Sequence, residues 1–94
     1  MAEHLNQKRE PELDLFNFMG KPIPPEARQV GYEHCREMGL ESPRAWECVN
    51  QVSEQLERDQ PYQAQAAGMR HLDLTGTYRL FAVLLAETAR LEPK

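Results

Sequence analysis

Three prolines, Pro25, Pro43 and Pro61, each open a stretch in which apolar residues recur at helical spacing. A proline in the first helical turn loses nothing by its missing N–H, and its φ is already helical; deeper in a helix it breaks the ladder. The chain is therefore cut into helices at these joints. Over Pro25–Met38 the stripe is Ala27, Val30, Gly31, Cys35 and Met38, with Glu26 near the positive end of the dipole and Gly39 placed to cap the C-terminus. Ser42-Pro43 starts a second helix, with Ser42 as the expected N-cap and Ala45, Val49, Val52 and Leu56 as its stripe. The short connection between them predicts an antiparallel hairpin.

Asp59-Gln60-Pro61 repeats the stop-and-start signal, and a third helix is expected from Pro61 to about Leu91. Gly68 or Thr75-Gly76-Thr77 marks where so long a helix would break, since glycine in a helix interior costs about 1 kcal/mol against alanine. Residues 72–83 also alternate in the manner of a β-hairpin, but the Gln/Ala-rich lead-in and the VLLAETARLE tail favour helix. The fold class expected is all-α: a small helical bundle of an αα-hairpin plus a long C-terminal helix.

Residues 1–10 are polar and aperiodic and read as a flexible tail, leaving 11–94 as a single helical domain. Within it, Leu13, Leu15, Phe16, Phe18 and Met19 form an apolar arm, short-helical or extended, and Lys21–Pro24 must be extended because a residue before proline avoids the α region. The chain has 94 residues, enough for one thin core. Its 40% hydrophobic and 28% charged content is that of a folded domain. Net charge is −4, and the arginines are scattered, so the concentrated basic footprint of a nucleic-acid binder is missing. No apolar run reaches the roughly 18–20 residues of a membrane span, and the N-terminus has no signal core. A reducing cytoplasm is the expected setting for the two cysteines.

Wound as a helix, residues 69–91 are apolar over about twice the arc of an ordinary surface helix. That predicts apolar area left over for a second copy or another protein, with Tyr78, Leu80, Phe81, Leu84 and Leu85 as contact residues and a homodimer as the expected assembly. The competing reading is a closed monomer in which the hairpin and the arm cover that helix. Phe16 and Phe18 pose the same choice between docking in a partner's groove and patching their own core. Tyr32, Arg44 and Trp46 are of the residue types that dominate interface hot spots and form a further candidate contact.

Catalytic chemistry finds little support. No nucleophile elbow, phosphate loop, dinucleotide fingerprint or zinc-protease helix occurs. Ser53 stands beside Glu54 with no base in a motif. His34, Cys35, Cys48 and His71 match no zinc spacing, so neither metal nor cofactor is expected. Cys35 and Cys48 lie nearly opposite in the expected hairpin, either as a disulfide or as two buried thiols. The function expected is that of a non-enzymatic regulatory protein binding a larger cytoplasmic protein, as an adaptor, antagonist or antiactivator does. One alternative is an oligomer binding a nucleotide-type anion through Tyr62, Arg70, His71 and Arg79; another is a DNA-binding helical dimer.

Overall fold

The computed structural model describes residues 20–93, which form four helices and no strand: α1 (Pro25–Glu37), α2 (Arg44–Glu57), α3 (Pro61–Met69) and α4 (Leu74–Leu91). The tail and the Phe16–Phe18 arm lie outside the described residues.

Helix starts and stops follow local chemistry. Pro25 and Pro61 each occupy the first turn. At the end of α1, Gly39 has φ +100°, its N–H donates to Arg36 O and the N–H of Leu40 to Cys35 O, both at 3.0 Å. This is the Schellman arrangement, which satisfies carbonyls that the helix leaves open. The end of α2 repeats it with Asp59 (φ +56°) in the left-handed position, where a short polar side chain is tolerated. Ser42 departs from expectation: the Ser42-Pro43 peptide is cis, Pro43 is itself the N-cap of α2, and no side chain caps that end.

The long third helix does not exist as such. It stops at Met69, and α4 begins at Leu74 with Asp73 as N-cap, its carboxylate accepting from Gly76 N at 2.7 Å. Thr77 Oγ1 adds a bond to Asp73 O at 2.9 Å. The break falls between the two positions the glycines suggested because a capping aspartate supplies an acceptor that the helix ladder cannot match. The stretch 72–83 is helical, not a hairpin of strands.

Helices α1 and α2 run antiparallel, as their pairings show: Tyr32 with Trp46, Arg28 with Asn50 and Glu57. Helix α4 packs against α1 and α3 and also touches α2, and α2 packs on α3. Leu56, Val49, Val52, Leu80, Phe81 and Leu84 fill the centre, each fully buried. Gly31 is what lets α1 and α4 approach: a Cβ there would stand 2.8 Å from Leu84 Cδ2. The extended lead-in is tied to α2 by Glu57, whose Oε2 accepts from Ile23 N at 2.7 Å and Arg28 at 3.1 Å.

Candidate functional site

Two surface regions bring the candidate residues together. The first is an aromatic face on the α1–α2 hairpin. Tyr32 points from the middle of α1, and Trp46 from the first turn of α2 meets it because the helices are antiparallel. The rings are stacked, 4.2 Å between centroids and 11° between planes. Arg36, one turn after Tyr32, donates to the Tyr32 hydroxyl at 3.2 Å, and its guanidinium carbon lies 6.0 Å from the ring centroid. Hydrogen bonds from Ser42 and then Arg36 hold the Tyr32 phenol below its ordinary pKa. Both rings are half-buried and Arg36 is exposed. The sequence paired Tyr32 and Trp46 correctly but assigned Arg44 to them. Arg36 takes that place, and its spacing of four from Tyr32 is the signal that was overlooked.

Arg44 turns the other way. Its Nε donates to His71 Nδ1 and its terminal nitrogen to Arg70 O, both at 3.2 Å. An acceptor at Nδ1 places the imidazole proton on Nε2, which then donates to Gln51 Oε1 at 3.3 Å. Burial, with the Arg44 charge next, lowers the His71 pKa. His71 is thus a neutral strut between α2 and the α3–α4 joint.

The second region is a cleft of about 650 Å³ between the α1–α2 and α3–α4 joints. His71 and Arg79 line it together with Glu37 and Asp73. The four residues of the anion-binding expectation are not gathered there. Tyr62 is at the opposite end of α3 from Arg70, about 12 Å along the axis at 1.5 Å per residue. The N-terminus of α4, where a phosphate would sit, is already taken by the Asp73 carboxylate.

The expected contact surface on the last helix is corrected by burial. Leu80, Phe81 and Leu84 are 0% exposed, covered within this chain, and offer nothing for a partner to touch. Tyr78 and Leu85 are half-buried; Tyr78 donates to Gln65 Oε1 at 3.3 Å and sets its ring edge-on to Phe81. Phe16 and Phe18 lie outside the described residues.

Cys35 and Cys48 are free and fully buried. The two thiols meet across the hairpin, and their mutual hydrogen bond, with burial, pushes Cys35 well above the ordinary thiol range. Ser53 is 0% exposed, which removes it as a nucleophile open to substrate. Among the described residues no three His, Cys, Asp or Glu side chains converge as metal ligands, and no helix is long and apolar enough to cross a membrane. No family model matches the chain, and neither a curated protein nor a solved structure matches it significantly.

Proposed function

We propose that the chain is a non-enzymatic interaction protein that docks on a larger protein, as adaptors, antagonists and antiactivators do, through the Tyr32–Trp46–Arg36 face. The stacked pair is the observation that carries this reading. Trp, Tyr and Arg dominate interface energetics. Rings already fixed against each other lose little rotamer freedom on binding. The two reduced, buried thiols suit a reducing compartment, and the cytoplasm is the setting proposed.

The test is affinity capture with the full chain as bait, run beside Arg36→Glu and Trp46→Ala. A specific protein recovered by the wild type is expected to drop at least about tenfold with either variant, as for a hot-spot residue. Arg36 is exposed, so Arg36→Glu is expected to keep the fold, at a stability cost of about 1 kcal/mol for a negative charge at the C-terminus of α1, and circular dichroism checks that. Equal recovery by all three baits overturns the proposal.

A second reading rests on the cleft, whose size falls in the range of small-ligand sites. Arg79 and His71 share the lining with Glu37 and Asp73, a mixture that fits a zwitterion better than a nucleotide. A thermal-shift series with amino acids and nucleotides separates these: stabilisation by the former that Arg79→Ala abolishes supports the cleft, and no response to either removes it.

A further inference from the structure

The core of the α1–α2 hairpin holds two sulfurs that the docking face and the cleft do not use. Cys35 lies six residues before Glu41, and Cys48 six residues after Ser42. An antiparallel hairpin that turns at 41–42 therefore sets them opposite each other. Both are free and 0% exposed, and their thiols share a hydrogen bond. Gly31, one turn before Cys35, and Ala45, one turn before Cys48, are also buried. Residues this small let two helices approach closely, and a disulfide needs Cα atoms within about 4.4–6.8 Å.

The two thiols are not equivalent. Cys35 donates to the Cys48 sulfur, and that bond holds the Cys48 thiol below its ordinary pKa against the opposing effect of burial. Arg44, one turn earlier on α2, acts in the same direction through its positive charge. Cys35, as the donor, is pushed the other way. A thiolate stabilised by a neighbouring thiol and a cation is the reactive member of a dithiol pair.

We propose that Cys35 and Cys48 form a reversible dithiol–disulfide pair whose oxidant is a small hydroperoxide, with Cys48 as the attacking sulfur and Cys35 as the resolving one. Burial selects the oxidant. Neither sulfur reaches the surface, so the reagent enters during local opening of the hairpin, and the smallest one enters most often. Residues 41–44, at the turn between the helices, are all exposed and lie nearest to that route.

With hydrogen peroxide the steps balance. The Cys48 thiolate attacks one oxygen, the O–O bond breaks, and the departing hydroxide takes up the proton that Cys48 gave away. Cys48 is now a sulfenic acid. The Cys35 sulfur attacks Cys48 Sγ, the S–O bond breaks, and the second hydroxide leaves as water with the Cys35 proton. Two thiols and one peroxide become one disulfide and two waters. A dithiol reductant returns two electrons and two protons and departs as its own disulfide. A bond of this kind in a reducing compartment is transient and sensing rather than structural. The pair is independent of the docking face, and failure of either leaves the other standing.

The test is to treat the reduced full chain with hydrogen peroxide and follow it by intact mass and peptide mapping. The expected product is an intramolecular Cys35–Cys48 disulfide that dithiothreitol reverses. It closes a loop of 14 residues, so the melting temperature is expected to rise by at least about 5 °C. Oxidised glutathione, much larger than peroxide, is expected to react at least tenfold more slowly at equal concentration. Cys48→Ala is expected to slow oxidation at Cys35 at least tenfold, and Cys35→Ala to stop at a Cys48 sulfenic acid that dimedone traps. Should either variant fail to fold, dimedone present while the wild type is oxidised reads which sulfur is attacked first. Thiols that stay reduced in peroxide, a disulfide between two chains, or a melting temperature that does not rise overturns the pair. Dimedone on Cys35 instead of Cys48 overturns the roles, and equal rates with glutathione overturn the peroxide.

Discussion

Helices α3 and α4 pack against each other yet meet solvent in opposite ways. Helix α4 is the richer in large apolar groups and hides them: Leu80, Phe81 and Leu84 have no exposure at all. Helix α3 turns only alanines and a glycine inward and shows Tyr62 and Met69 to solvent. The difference lies in how many neighbours each helix has. Three helices surround α4, whereas α3 meets only α2 and α4. A very apolar helix in the middle of a bundle leaves nothing over, and a mildly apolar one at the rim can.

The largest test of this contrast is Phe81→Ala. It removes a fully buried aromatic from the centre and is expected to cost about 3–5 kcal/mol, read from urea unfolding. Phe81 is one of the residues that a docking surface on α4 would use. A cost under about 0.5 kcal/mol, as at ordinary surface positions, would show that α4 is not the covered helix.

The seam between the two helices comes next. Gly68→Ala adds a methyl group against Thr77, which is buried and held by its own bond to Asp73 O. Overpacking here is expected to cost about 1–3 kcal/mol despite the better helix propensity of alanine. A gain in stability would mean that α3 stands off from α4.

The pH dependence is smaller and local to the α3–α4 joint. The folded-state pKa of His71 lies below its unfolded value, so on acidification the unfolded chain binds the proton first. The stability that neutral His71 contributes is present above the ordinary histidine pKa and is lost as pH falls through the folded one. Protonation also removes the Nδ1 acceptor that Arg44 uses. Urea midpoints at pH 7.5 and 5 are expected to differ less for His71→Gln than for the wild type; an unchanged difference would take this histidine out of the joint.

Met69→Gln gives the smallest effect, expected within about 0.5 kcal/mol, because the residue is 44% exposed and lies outside the buried core. The matching change Leu80→Gln on α4 buries an amide without partners and is expected to prevent folding at moderate temperature. Similar stabilities for the two variants would erase the distinction between the helices.

The sequence by itself determined where helices begin and end at three of the joints, and which stripes of α1 and α2 face inward. Pro25, Gly39, Asp59 and Pro61 act through φ, missing donors and left-handed caps, all of which operate within a few residues. Ala45, Val49, Val52 and Leu56 are all buried, as their spacing demanded. The Asp73 cap was legible too, through its acceptor three residues ahead of Gly76, but the apolar period running through the joint masked it. Tertiary structure alone decided the rest: which arc of α4 is covered, that Arg44 leaves Trp46 for His71, and that Ser42 serves Tyr32 rather than the helix end. The physical reason is range. Caps and breakers are settled by adjacent backbone, whereas burial and side-chain pairing sum over contacts from distant parts of the chain, and no count of apolar residues along one helix reveals how many others will close around it.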